Sequence, residues 1–216
     1  MIFSPPSKQR IDFLGQAANA YQQQLTAGTP AAELLKRRGL SQDSAQYFRL
    51  GYVADPASGH ERYRGMLAIP YVNMQGVVAI RFRCTGDHDC KALGHSKYMR
   101  EPGDEAKIYN ILALTLNVSR IAVAEGEPDT WTGWQCEIPT IGVAGVQNWN
   151  RLFNRHLRGY KEVVILADGD DAGMQLADTI VKANKNATVR QMPSRSDTNA
   201  FYCEHGAEAL REKAGF

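Results

Sequence analysis

From residue 120 to its C-terminus the chain alternates apolar runs of strand length with longer segments of helical period, joined by short connections. "RIAVAE", "EIPTIGVA", "KEVVILAD" and "ATVRQMP" read as strands, while "DTWTGWQC", "NWNRLFNRHL", "AGMQLADTIVKANK" and "AEALREKAG" read as helices. This alternation is the strongest constraint in the sequence. Strand–helix–strand units with short loops pack as a parallel sheet covered by helices. In such a sheet the loops at the carboxyl ends of the strands converge, and ligands bind there.

Two of those strand ends are acidic. "IAVAEGEPD" places Glu125 at one end, with Asp129 about a helical turn later, and "VVILADGDDAG" places Asp168 and Asp170 at another. Neighbouring strands lie about 5 Å apart, so Glu125, Asp168 and Asp170 can meet in one small volume. Crowded carboxylates raise one another's pKa. A divalent cation, Mg²⁺ or Mn²⁺, reverses that cost, because hard cations take carboxylate oxygens and keep positions open for substrate phosphates. A pair of such ions suits phosphoryl transfer. Either cluster alone also fits a solvated helix start, since Asp favours N-caps. Their pairing across two strand ends favours the metal reading. Asp171 is expected to cap the following helix or hold water. Gly126 and Gly169 are expected to let the backbone turn tightly behind the acids, and Gly173 to allow close packing of the next helix.

The first half reads differently. Residues 10–27 and "PAAELLKRR" carry helical spacing, the latter behind a Thr29 cap, and a third helix starts after Ser41. "GMLAIPYV" and "VVAIRFR" flank "NMQG", a β-hairpin signal with its turn near Asn73 to Gly76. A polar stretch follows from 84 to 107, and a short linker is expected near residues 114–120. With 216 residues the chain has room for one domain or two small ones.

In order and motif the chain resembles the Toprim-containing RNA-polymerase domain of DnaG-type bacterial or phage primases. "EGEPD" followed some forty residues later by "DGDDAG" is similar to the Toprim signature. "AAELLKRRGLSQDSAQYFRLGYV", "RGMLAIPYVNMQGVVAIRFR" and "SKYMREPGDEAKIYNI" follow the order of the primase segments upstream of it, so the resemblance spans roughly residues 14–213. It implies an α/β protein: a mixed α+β N-terminal subdomain, residues 1–116, and a Toprim subdomain, residues 117–216, with a parallel Rossmann-like sheet flanked by helices. It implies a DNA-directed RNA polymerase that makes short RNA primers by metal-dependent nucleotidyl transfer.

The resemblance assigns residues as well. Glu125 becomes a metal ligand or general base, Asp168 and Asp170 metal ligands, and Asp129 a supporting acid. Asp197, in "RSDTNAFYCEHG", matches a third acidic segment, although Thr198 stands where a proline is common. Arg64, Arg83, Lys97 and Lys107 are implied to bind template or nucleotide, with Tyr98 stacking on a base. Arg83 is preceded here by Arg81 and Phe82 rather than by small residues. Single-stranded DNA template and ribonucleoside triphosphates are the implied partners. Such primases also carry a zinc-binding module upstream and a helicase-binding region downstream. Neither fits here, so the chain is expected to be the central domain alone or a reduced protein of a phage or mobile element. A replicative helicase and a separate zinc-binding module would then act from elsewhere. A Toprim nuclease, or a non-catalytic DNA-binding Toprim protein, shares the acids but does not need the upstream segments.

The remaining composition bounds the setting. No apolar run approaches membrane-spanning length and "MIFSPPSKQR" has no signal core, which points to the cytoplasm and away from a membrane. A net charge of +2 permits nucleic-acid binding only through a local basic surface. Four cysteines are too few for a disulfide framework. "CTGDHDCKALGH" offers Cys84, His88, Cys90 and His95, zinc's preferred donors, between the hairpin and "SKYM". Its spacing departs from a standard knuckle, which favours a polar loop with free thiols over a zinc site.

Overall fold

The computed structural model describes residues 6–145 and 148–216. The first five residues of the stretch read for a signal core lie outside these. The chain forms two compact units, Met1–Asp104 and Glu105–Phe216. Among the described residues no helix is long and apolar enough to cross a membrane.

The first unit holds helices α1 (Lys8–Gln24), α2 (Pro30–Arg37) and α3 (Gln42–Tyr47). Each starts at a hydroxyl cap: Ser7 Oγ accepts from the Arg10 amide, Thr29 Oγ1 from Ala32 and Ser41 Oγ from Ser44. An antiparallel sheet runs in the order β1 (Gly51–Tyr52), β2 (Leu67–Asn73), β3 (Gly76–Arg83) and β4 (Tyr98–Arg100). The expected hairpin is β2–β3, closing with Asn73 opposite Gly76. Pro70 sits inside β2 because β1 pairs only with Leu67 and Ala68, so no partner there needs the missing amide. Leu14, Ala18 and Tyr21 of α1 pack on Ala68, Ile80 and Phe82.

A buried polar chain crosses this core. Tyr21 Oη accepts from the Ala57 amide at 2.9 Å and meets His60 Nδ1 at 2.9 Å. His60 Nε2 donates to Glu101 at 2.9 Å, and Arg10 donates to the other Glu101 oxygen. Burial alone would raise the Glu101 carboxyl, but the hydrogen bonds from His60 and Arg10 outweigh it and hold the group below its usual value. A lowered native pKa contributes stability above the unfolded-state value, about 4.3, and that contribution is lost as pH falls through the native value. Glu101→Gln is therefore expected to lower stability by about 1–3 kcal/mol near pH 7. In urea melts between pH 3 and 7 its deficit should shrink toward the acid end; a deficit independent of pH would refute the linkage.

The second unit carries the alternating half. Its sheet runs β5 (Ile108–Tyr109), β7 (Thr140–Val143), β6 (Arg120–Ala124), β8 (Glu162–Ala167), β9 (Ala187–Gln191). All pairs are parallel except β5 with β7. The helices are α4 (Glu127–Gln135), α5 (Asn154–Leu157), α6 (Asp171–Ala183) and α7 (Thr198–Ala214). Alternate strand residues face opposite layers. Ile121, Val123, Val163 and Ile165 pack with Leu176 and Ile180 of α6, while Ala122, Val164 and Leu166 pack with Leu210 and Ala214 of α7. The helix read at "AEALREKAG" is the second half of α7, set off by non-helical backbone at Gly206.

Residues 105–116, placed with the first half from sequence, pack with this unit. Tyr109 pairs with Gly142, and its hydroxyl accepts from the buried Trp131 indole at 2.7 Å. The Asn110 side chain donates to the Thr140 carbonyl at 2.8 Å.

Candidate metal centre

The strand order makes the site. From β6 the chain moves to β7 on one side, then returns to β8 on the other side of β6. The gap between the carboxyl ends of β6 and β8 is thus a topological switch point, where loops diverge and leave a crevice. Ala124 is in register with Leu166. Glu125 follows the one strand and Asp168 lies just beyond the other.

The acids gather around Asp168. Its carboxyl is pushed up to about 8, first by burial and then by the charges of Asp129, Glu125, Asp197 and Asp170. Glu125 is raised by burial and by Asp170, against a hydrogen bond from Asp168 that lowers it. Two carboxyls can hydrogen-bond only if one is protonated, and a bond that lowers Glu125 has Asp168 as its donor. Glu125 Oε2 and Asp168 Oδ1 are nevertheless buried with no hydrogen-bond partner. Buried acceptors left unpaired are costly. A divalent cation supplies what both oxygens lack, so the donor set fits Mg²⁺ or Mn²⁺.

The other acids have dual duties. Asp170, not Asp171, is the N-cap of α6: its Oδ1 accepts from the Gly173 amide at 2.9 Å. The expectation that Asp171 caps this helix is thereby corrected, since Asp171 is the first helical residue and exposed. Asp197 caps α7 by accepting from Ala200 at 2.6 Å. Thr198 is then the first residue of α7, a position that proline also suits, which explains the exchange at that point. Asp129 is buried in α4 and accepts from the Asn199 amide at 3.0 Å, while the Asn199 side chain donates to Thr132 at 2.8 Å. Asn199 thus ties the third acidic segment to the first. Its sequence neighbourhood carries no sign of that role, nor of the burial of Glu127 beside Pro128.

Gly126 and Gly169 both lack positive φ, so tight turning is not their purpose. At Gly169 the reason is close approach. A Cβ there would lie 1.8 Å from the Pro193 carbonyl oxygen. Gly173 does pack closely, as expected: a Cβ would lie 2.7 Å from the Asp168 backbone nitrogen and oxygen.

The basic candidates divide between the units. Arg64 is exposed, donates to the Ala54 carbonyl and lies 3.9 Å from Asp55. Arg83 is only 4% exposed, and its Nε and Nη1 have no hydrogen-bond partner. Its guanidinium lies 5.6 Å from the Tyr98 ring centroid, with that of Arg81 at 4.9 Å. Lys97 is exposed beside them. The sequence reading missed Arg81 as a ring partner of Tyr98. Lys107 belongs to the second unit and donates to the Glu105 carbonyl at 3.2 Å.

Comparison with known proteins adds to this geometry. No protein-family model matches the chain. The Gene 57 protein of Mycobacterium phage D29 is 42% identical over 156 residues, covering 70% of this chain and 99% of that protein. The chain belongs to that phage protein's family. A DNA primase of Enterococcus faecalis is 24% identical, covering 98% of this chain, which spans 42% of that protein. The RNA polymerase domain of Mycobacterium tuberculosis primase DnaG, solved in complex with a double-stranded DNA oligomer with a 6-nucleotide overhang, superposes with a TM-score of 0.77 at 17% identity, covering 98% of this chain and 81% of that one. The fold is that of the DnaG primase catalytic core, in a member of the phage Gene 57 protein family.

Proposed function

We propose that this protein is a primase catalytic core that joins ribonucleotides on a single-stranded DNA template. The observation that carries the reading is the crowding of Glu125, Asp129, Asp170 and Asp197 on Asp168, with unpartnered buried oxygens on Glu125 and Asp168. The fold shared with primase cores supports it. The acids form a Toprim-type centre, and Glu125, Asp168 and Asp170 would hold Mg²⁺ or Mn²⁺. When bound, the cation activates the attacking oxygen and offsets charge on the phosphoryl group.

In the reaction the 3′-hydroxyl of one nucleotide attacks the α-phosphorus of the next. An O–P bond forms, the bond to the bridging oxygen of pyrophosphate breaks, and pyrophosphate leaves. The hydroxyl proton passes to solvent water as the bond forms, while Glu125 would hold the cation. Arg83, buried beside the Tyr98 ring, would add positive charge behind the phosphates, and the exposed Lys97 would contact their oxygens. Arg64 and Lys107 are further phosphate ligands, and Tyr98 presents a ring to a base.

The test uses single-stranded DNA, labelled ribonucleoside triphosphates and Mg²⁺ or Mn²⁺. Short RNA products are expected, reduced about 100-fold or more in Glu125→Gln. Degradation of the template would indicate a Toprim nuclease. DNA binding with neither activity, unchanged in Glu125→Gln, would indicate a non-catalytic DNA-binding protein.

A further inference from the structure

The connection between β3 and β4 is the segment read from sequence as a polar loop with free thiols. Its cysteines are indeed free. However, Cys84, His88, Cys90 and His95 are not scattered along it. One ligand atom from each lies within 4.8 Å of all the others. His88 Nε2 is 2.9 Å from His95 Nε2 and 3.5 Å from Cys84 Sγ. The edges of a tetrahedral zinc site, from Zn–N of about 2.0 Å and Zn–S of about 2.3 Å, are about 3.3–3.8 Å. The two Nε2 atoms thus turn toward one point, where a cation can take the place of the single proton they share.

The loop is braced around these donors. Asp89 Oδ1 accepts from the amides of Lys91 and Ala92, at 2.9 and 3.2 Å. The Cys90 carbonyl accepts from the His95 amide at 2.9 Å, so those two ligands are held by backbone. His95 Nδ1 faces the Ser96 carbonyl at 3.3 Å. A donor proton on Nδ1 leaves the Nε2 lone pair aimed at the cluster, the arrangement that orients metal-bound histidines. Cys90 is buried at 7% exposure, and the Cys84 amide donates to the Lys97 carbonyl at 2.9 Å, closing the base of the loop.

We propose that Cys84, His88, Cys90 and His95 form a structural Zn²⁺ site. Two thiolates and two neutral imidazoles balance the ion's charge and fill its coordination, which leaves no open position for chemistry. The S₂N₂ donor set selects zinc over Mg²⁺. The site is chemically distinct from the carboxylates, and all its ligands lie in the first unit. It fixes the ends of the loop, and those ends are Arg83 and Tyr98, opposite one another in the β3–β4 pair.

The tag-free full chain, purified without chelator or added zinc, decides the matter by elemental analysis. About one zinc per chain is expected; below about 0.1 per chain the proposal fails. Zinc should be retained in Glu125→Gln and lost in the double variant Cys84→Ser, His95→Ala; retention in the double variant would overturn the assignment. If that variant does not fold, cobalt exchange into the wild-type chain still decides. Tetrahedral d–d bands with thiolate charge transfer support the site, and an octahedral spectrum, or a Cys84–Cys90 disulfide in the mass spectrum, refutes it.

Discussion

Asp168→Asn is expected to cut primer synthesis about 100-fold while raising the thermal stability of the metal-free protein. The two effects share one cause. Asp168 sits where burial and the charges of Asp129, Glu125, Asp197 and Asp170 all oppose ionisation, and its carboxyl is pushed up to about 8. A carboxyl raised this far stabilises the fold fully only below its unfolded value, about 3.9. That contribution is lost as pH rises from there through about 8, because the native state must give up a proton it holds more tightly than the unfolded chain does. Asparagine has no proton to lose and carries no charge into the cluster. At pH 8, in chelator, the variant's Tm should exceed the wild type's by about 3 °C or more. Between pH 4 and 8 the wild type should lose stability relative to the variant. Mg²⁺ should reverse the order, since metal binding replaces the proton and apparent affinity rises with pH. The variant should gain little from Mg²⁺ and make about 100-fold less primer. A destabilised Asp168→Asn, or a wild type whose metal-free Tm ignores pH across this range, would refute the crowding account.

Gly169→Ala should be the most damaging single methyl in the second unit. The added carbon would lie 1.8 Å from the Pro193 carbonyl oxygen and 2.6 Å from its carbon, both backbone atoms that no rotamer change can move. The same turn is bound to Gly169 itself: the Gly169 amide donates to Ser196 at 2.8 Å, and the Arg195 amide donates to the Gly169 carbonyl at 3.0 Å. Relieving the clash therefore breaks these bonds and swings Asp197 away from Asp168. The cost expected is about 2–5 kcal/mol, a Tm fall of about 5–15 °C. Primer synthesis should be lost even at temperatures where the variant remains folded, since the third acidic segment has moved. A folded variant with wild-type Tm and full activity would show that the 193–196 turn is not the support for Asp197.

Much of the site was legible in the chain. The period-2 and period-3.6 alternation after residue 120 located the strands, and in a parallel sheet strand ends are also loop sites, so Glu125 and Asp168 could be named from their position after apolar runs. Other features left weaker traces. Asp170 and Asp171 are adjacent, and which of them caps α6 depends on a one-residue choice of helix start that local composition does not encode. Residues 105–116 read as part of the first half because a two-residue strand has no period to detect; pairing with β7 and the Trp131–Tyr109 hydrogen bond give them their place. The unusual spacing of Cys84, His88, Cys90 and His95 argued against a shared site, whereas the folded loop brings their donors within 4.8 Å.

The sequence by itself determined which residues could carry charge to a strand end, because side-chain type and hydrophobic period are local properties. The tertiary structure alone decided which strand ends are neighbours. The order β7-β6-β8 places Glu125 and Asp168 together at a switch point, the Pro193–Ser196 turn brings Asp197 to them, and Asn199 locks Asp129 in place. Those are relations between residues tens of positions apart. They arise from packing two helical layers on one sheet, and no local pattern records them.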